Sequence, residues 1–434
     1  ELLIYLILFL LVLIVSSTTN KLLPFLPLPL VQILLGIVIG LFLPNTDFHL
    51  NTELFLALVI GPLLFRESEE ADITAILKHW RIIIYLIFPV IFISTLSLGG
   101  LAHLLWLSLP LAACLAVGAA LGPTDLVAFA SLSERFSFPK RVSNILKGEG
   151  LLNDASGLVA FQVALTAWTT GAFSLGQASS SLIFSILGGF LIGFVTAMTN
   201  RFLHSFLLSV RATDIASELL LELSLPLVTF FLAEEVHVSG IIAVVVAGIL
   251  KASRFKKITL LEAQVDTVTE TVWHTVNFML NGSVFVILGM ELEMIAEPIL
   301  TNSIYNPILL LVSLIALTFV LFAIRFVMIY GYYAYRTRRL KKKLNKYMKD
   351  MLLLTFSGVK GTVSIATILL IPSNLEQEYP LLLFLVAGVT LVSFLTGLLI
   401  LPHLSDEQEE SKNYLMHIAI LNEVTSELEK ELET

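Results

Sequence analysis

The sequence predicts an all-α polytopic membrane protein. It should have about thirteen transmembrane helices, folded as two inverted six-helix repeats with crossed, interrupted helices at spans five and twelve. Three observations predict this. First, 57% of the 434 residues are hydrophobic and only 14% are charged, where a soluble domain carries roughly 25% charged residues. Mean hydropathy is +0.91. Second, the lysines and arginines between apolar runs all fall in alternate loops. Third, two of the runs break at comparable polar points. A soluble enzyme, a nucleic-acid-binding protein and a disordered chain are excluded by composition alone.

A membrane helix needs about 20 mainly apolar residues. Span one, near 2–19, follows an acidic Glu1 with no basic segment before it, which speaks for a true span over a signal peptide. Span two is near 26–43, and span three, near 51–65, is short. Spans four, five and six are near 80–99, 104–131 and 143–170. Span seven, near 180–203, is the connector. Spans eight to thirteen are near 216–233, 237–250 (short), 271–292, 305–335, 350–371 and 380–402. The transmembrane domain is therefore 1–402. Repeat one is 1–170, the connector helix 180–203, repeat two 216–402, and 403–434 is an acidic tail with nine acids and two bases. Ile418, Leu421, Thr425, Leu428 and Leu432 in that tail follow alternating spacings of four and three, as in an amphipathic or coiled helix.

One set of loops holds all 22 loop bases, from Lys21 through Arg66, Lys78 and Arg81 to the eight between Arg336 and Lys349. The other set holds acids such as Asp47, Glu235 and Glu376 and no bases. The basic side is cytoplasmic, so the amino terminus is outside and the tail inside. The Arg336–Lys349 run reads as a topology signal in contact with anionic lipid rather than a nucleic-acid patch. Short loops and a short tail point to a prokaryotic inner membrane. The lone Cys114 allows no disulfide and no thiolate metal site, and no cofactor is implied.

Ionisable groups inside spans are costly, and each is a functional candidate. Asp125 follows Gly122-Pro123-Thr124 in span five. Glu149, Asn153 and Asp154 lie in span six, Arg325 in span eleven, and Lys360 in Ser357-Gly358-Val359-Lys360-Gly361 of span twelve. Glu149 and Asn153 are four apart and share a helix face. Asp154 lies about 100° further round. A lone buried guanidinium is untenable, so Arg325 is assigned to Glu149, leaving Asp154 free to take up and release a proton. The two breaks cannot be continuous helix in lipid, and irregular backbone at that depth needs a protein or water-cavity surrounding. Paired breaks in two chain halves point to a transporter built of inverted repeats. Asp125 would offset the positive half-helix ends and Lys360 the negative ones.

These residues resemble the monovalent cation:proton antiporters of the NhaP type and the eukaryotic sodium–proton exchangers. The likeness covers most of the membrane body. It rests on the Pro27–Leu41 pattern, Pro62-Leu63-Leu64-Phe65, Thr124-Asp125, Glu149-Gly150-Leu151-Leu152-Asn153-Asp154, Arg325 and Gly358-Val359-Lys360-Gly361. Four positions depart from the pattern. Gly150 stands for the usual serine, Lys360 for arginine and Leu126 for a common proline. Arg66 stands where many relatives have an acid, with Glu67 one step on, so a third-span carboxylate ligand is in doubt.

The resemblance implies exchange of protons for Na⁺, with Li⁺ also and K⁺ as the alternative, by competition at Asp154 with alternating access. Asp154, Asp125, Thr124 and waters would bind the ion, and Asn153 would orient Asp154 or hold the broken helix. Glu149–Arg325 would be a structural ion pair and Lys360 a helix-dipole compensator. One acid in Asn153-Asp154 implies electroneutral exchange. A homodimer is implied, with the bundle of spans 4–6 and 11–13 shifting against a scaffold. Rival readings are a cation channel, for which no repeated filter is visible, and an intramembrane aspartyl protease, whose Gly-x-Gly-Asp element is absent. The histidines show no metal spacing. His79 and His204, near cytoplasmic ends, are candidates for tuning the pH response, though solvated end residues are the plainer reading. Glu218 and Glu222 read as paired or interfacial.

Overall fold

The computed structural model describes residues 2–22, 28–42, 52–133, 136–171, 175–210, 214–252, 260–301, 306–339, 341, 344–368, 371 and 379–405. Among these residues every element is helical. The first repeat begins with α1 (Leu2–Leu22) and α2 (Leu28–Phe42). α3 (Thr52–Phe55) runs through a π-helical turn, Leu56–Ile60, into α4 (Gly61–Glu70). After the short α5 (Ile73–Leu77), α6 (Trp80–Tyr85) continues through a second π turn, Leu86–Val90, into α7 (Ile91–Leu105). Pro89 lies inside that turn, where a missing N–H and a widened ladder suit one another. α8 (Leu111–Ala120) and α9 (Leu126–Ser133) are the two halves of a broken helix, followed by α10 (Lys140–Thr170) and α11 (Leu175–Ser209).

The second half comprises α12 (Ile215–Glu235), α13 (Gly240–Ala252), α14 (Leu260–Thr301) and α15 (Pro307–Arg339). A 3₁₀ turn, Leu344–Tyr347, leads to the second broken helix, α16 (Met348–Phe356) and α17 (Thr362–Ile368), and then α18 (Tyr379–Leu404). Helix is present at each stretch read as a span. By length and apolarity six described segments suffice to cross a membrane: Trp80–Leu105, Ile183–Leu207, Ile215–Glu235, Thr267–Met290, Pro307–Arg339 and Tyr379–Leu404.

Three sequence expectations need correction. Span three is not short, because helix persists through the polar run to Glu70. Arg66 there is bridged by Glu69 at 2.9 Å and Glu70 at 2.6 Å, so the charges that ended the apolar run do not end the helix. Span five starts at Leu111, after Pro110, since proline cannot donate within a preceding turn. Lys147, counted among loop bases, lies inside α10. The tail from 406 onward, with its leucine spacing, lies outside the described residues, as do Asp47 and Glu376.

The helices meet over close backbone contacts. α2 and α14 touch at Gly36 and Gly289, where a Cβ on Gly289 would stand 2.9 Å from the Gly36 Cα. Small residues permit such approach where lipid supplies no hydrophobic drive for association. One buried cluster draws most of its core residues from the segments of spans 4–6 and 11–13, among them Ile83, Leu132, Ile145, Tyr333, Leu354 and Phe394. On the outside, α11 leaves Phe184, Leu187, Phe190, Leu191 and Phe194 exposed, a surface that suits hydrocarbon rather than water. The chain is an integral membrane protein.

Candidate functional site

The site is built where the two broken helices cross. Pro123 denies α8 a donor and Leu121–Asp125 leaves the helix, while Ser357–Gly361 does the same between α16 and α17. The breaks hold one another: the Asp125 N–H donates to the Val359 carbonyl at 3.1 Å. The Asp125 carboxylate accepts from the Ala128 N–H at 2.8 Å and so caps the first turn of α9. Lys360 does the converse. Its ammonium donates to the Gly122 carbonyl at 2.8 Å and the Pro123 carbonyl at 2.6 Å, the oxygens freed just past the end of α8. Its own N–H donates to the Ser393 hydroxyl of α18 at 3.1 Å. A Cβ on Gly361 would overlap the Asp125 carboxylate, so the crossing demands glycine there.

α10 passes beside the crossing and supplies three side chains. Glu149 is 1% exposed and receives Arg325 bidentately, Nη1 to Oε1 at 2.6 Å and Nη2 to Oε2 at 2.8 Å. The Arg325 Nε donates to the Leu354 carbonyl at 2.9 Å, which ties α15 to the last turns of α16. The Thr124 hydroxyl donates to Glu149 at 3.2 Å. Asn153 Nδ2 donates to the Thr124 carbonyl at 3.0 Å and to its hydroxyl oxygen at 2.7 Å. Of the two roles open to Asn153, holding the broken helix is the one these bonds describe.

Asp154 points elsewhere. With Asp125 it walls a small cavity with room for about one water-sized occupant. The third polar wall residue is Glu67 of α4. The rest of the wall is aliphatic: Ile60, Leu63, Leu64, Leu126 and Val363. Glu67 Oε2 and Asp154 Oδ1 are buried and have no hydrogen-bond partner among the described residues. Three carboxylates around one such space cannot all remain charged without a counterion. Chemically, such an arrangement can take up protons or a cation. Thr124, expected among the ion ligands, and Asn153, grouped with them as the residue that would orient Asp154, are not in the cavity wall.

Sequence reasoning missed Glu67 as a wall residue. Attention fell on Arg66, which faces away from the cavity toward Glu69, Glu70 and the Trp273 ring, 5.8 Å from its centroid. The signal was present: Ile60, Leu63, Leu64 and Glu67 follow the i, i+3, i+4, i+7 spacing of one helical face.

The remaining candidates are paired. Glu222 takes Lys251 at 2.9 Å and the Trp273 indole at 2.8 Å, and Glu218 meets His204 at 3.1 Å. His204 is thus not a solvated end residue. Partial burial, then the charges of Arg141, Arg336 and Lys78, hold His79 below the usual histidine range. It is neutral at neutral pH and poorly placed to sense changes there. No cluster with metal-ligand character occurs among the described residues.

The family described as Sodium/hydrogen exchanger, transmembrane, matches residues 6–405. A sodium, potassium, lithium and rubidium/H⁺ antiporter of Bacillus pumilus (strain SAFR-032) is 35% identical over 412 residues, covering 93% of this chain and 61% of that protein. A protein of the same name from Bacillus subtilis (strain 168) is 36% identical, with 90% and 60% covered. This chain thus spans about three fifths of the length of both. An uncharacterized Na⁺/H⁺ exchanger, YjcE, of Escherichia coli (strain K12) is 31% identical, with 89% and 73% covered. In structure the chain resembles the sodium proton antiporter MjNhaP1 from Methanocaldococcus jannaschii, with a TM-score of 0.64 and 18% identity over 93% of this chain and 96% of that one. At that identity the likeness is one of fold.

Proposed function

The chain belongs to the sodium/hydrogen exchanger transmembrane family, and from that premise we propose that it is a secondary antiporter exchanging protons for a monovalent cation. Na⁺ is the principal ion in this reading and Li⁺ is also carried. K⁺ is the specific alternative, because the two Bacillus relatives are named as antiporters of potassium and rubidium as well as sodium and lithium. The observation that carries the reading is the cavity that Asp154, Asp125 and Glu67 share at the helix crossing.

The mechanism is competition. In so small a space an alkali ion and a proton are alternative counterions for Asp154 and Glu67. Hard carboxylate oxygens suit a hard cation. Asp125 is less free, since its carboxylate already caps α9. Replacing one proton by one monovalent cation leaves the charge of the site unchanged, which makes the exchange electroneutral. Glu149–Arg325, Thr124 and Asn153 keep the crossing rigid, and Lys360 compensates the open carbonyls. Alternating access moves the cluster of spans 4–6 and 11–13 against the rest. Glu67, on α4, belongs to the other side of that boundary, so a shift of the bundle separates it from Asp154 and weakens the site as it opens.

Around this core we place thirteen spans in two inverted repeats, 1–170 and 216–402, joined by the connector 180–203. The 403–434 tail is cytoplasmic, the amino terminus outside, and the home a prokaryotic inner membrane. The working unit is a homodimer in lipid.

The test is proton movement in sealed proteoliposomes on adding Na⁺, Li⁺ or K⁺. Cation-driven proton movement, insensitive to an imposed membrane potential, is the expected result. No proton movement with any of these ions at acidic, neutral or alkaline pH contradicts the reading.

A further inference from the structure

Leu126 is a cavity-wall residue that also forms the far side of a tight contact with the acid-bearing helix. It opens α9, directly after Asp125, and is 8% exposed. Across from it, on α10, is Gly150. A Cβ added at Gly150 would stand 2.9 Å from the Leu126 Cβ, 3.2 Å from its Cδ1 and 3.4 Å from its Cα. The glycine is what lets this leucine sit back against α10, one residue from Glu149 and one turn from Asp154. The seat therefore fixes how far the side chain projects into a cavity with room for about one water-sized occupant.

The other four aliphatic wall residues come from α17 (Val363) and from the α4 segment with the π turn before it (Ile60, Leu63 and Leu64). In the scheme above, the α4 side separates from Asp154 as access alternates. Leu126 stays with the acids, on the same broken helix as Asp125 and against the helix of Asp154. With Val363 of α17 it makes the apolar wall that accompanies the ion throughout, and it is the part of that wall seated against the helix of Asp154.

We propose that Leu126, seated on Gly150, is the specificity-determining residue that sets the size of cation the site accepts. The proposal rests on the antiport reading and deepens it. The carboxylates attract every alkali ion, and their oxygens alone do not limit ionic radius when side chains can adjust. The aliphatic wall does, because it offers no oxygen to a hydrated ion and yields little room to a larger bare one. A residue at 150 with a Cβ drives Leu126 toward the cavity and favours small ions. A smaller residue at 126 withdraws the wall and admits larger ions or retained water.

The two substitutions thus have opposite signs. The experiment measures the half-saturating concentrations of Rb⁺ and Li⁺ for proton exchange in proteoliposomes, for the native protein, Leu126→Ala, Leu126→Val, Gly150→Ala and Leu126→Ala with Gly150→Ala. A methylene in a close-fitting apolar pocket discriminates by roughly tenfold or more. The Rb⁺-to-Li⁺ ratio is expected to fall by that order in Leu126→Ala, fall less in Leu126→Val, and rise in Gly150→Ala. In the double variant Gly150→Ala should shift the ratio less than it does alone, since the Leu126 Cδ1 it meets at 3.2 Å is gone while the Cβ it meets at 2.9 Å remains. A purely structural role would lower turnover or protein yield and leave the ratio where it was. The milder Leu126→Val keeps the comparison if Leu126→Ala does not assemble. Exchange in the native protein and variants with unchanged ratios, or ratios moving in the same direction for positions 126 and 150, overturns the proposal. A native protein that exchanges no alkali ion overturns the antiport reading and the proposal with it.

Discussion

Asp154→Asn should abolish cation-coupled proton movement while leaving the protein folded. The side chain is isosteric, it is 2% exposed, and its Oδ1 has no hydrogen-bond partner among the described residues. The change therefore breaks no ion pair that holds two helices together. What it removes is the function of the carboxylate: an amide neither takes up a proton nor neutralises an alkali ion. Removing a group that must carry the proton lowers rates by about a hundredfold or more, and here no second route restores the exchange. Glu67→Gln serves as the comparison. Glu67 shares the cavity but lies on the other side of the moving boundary, so its loss should raise the half-saturating cation concentration and leave measurable exchange. Proton flux in proteoliposomes containing equal amounts of folded protein reads both. Native-like exchange by the Asp154→Asn protein would remove Asp154 from the mechanism.

The second large effect concerns stability. Arg325→Leu leaves Glu149 buried with its counterion gone and the Leu354 carbonyl without its donor. Breaking a buried pair by removing one partner costs about 3–5 kcal/mol. The loss falls where α10, α15 and α16 meet, so the crossing should loosen and thermal unfolding in detergent should occur at clearly lower temperature. Replacing both members is a different experiment. Glu149→Leu with Arg325→Leu removes two desolvated charges together, and such apolar replacements are often neutral. The double variant should regain most of the stability lost by Arg325→Leu. It should not regain all of it, because Thr124 loses the carboxylate to which its hydroxyl donates. A single Arg325→Leu as stable as the native protein would show that the pair does not hold the crossing.

Much of this architecture is written in the sequence because the bilayer imposes long apolar runs and confines cations to one set of loops. The paired breaks were legible for a related reason. Gly122-Pro123 and Gly358 with Gly361 are poor helix residues beside charges, and lipid tolerates neither. Arg325 could be given to Glu149 because an unpaired guanidinium is untenable there. Side-chain direction was harder to read. Five consecutive polar residues, Arg66 to Glu70, look from sequence like the wet end of a span. Only the helical register carried through from Ile60 shows that Glu67 turns in while Arg66 turns out. The role of Asn153 was left open because spacing places it on the face of Glu149 but does not say which neighbour its amide reaches. That neighbour, Thr124, lies in the break between α8 and α9, 29 residues away. Tertiary geometry also explains two departures from the family pattern as one arrangement: Gly150 and Leu126 are in contact, which no local reading of either position reveals.

The central claim is that a proton and a cation compete for the same carboxylates. The most direct measurement is the half-saturating Na⁺ concentration for exchange as a function of pH, with the same pH on both sides of the membrane. Proton occupancy rises as pH falls, so competition predicts that more Na⁺ is needed at lower pH, approaching about tenfold per pH unit once the site is mostly protonated. The maximal rate at saturating Na⁺ should be recovered at each pH. A half-saturating concentration that does not change with pH, or an acid-induced loss of rate that saturating Na⁺ fails to restore, would contradict the account.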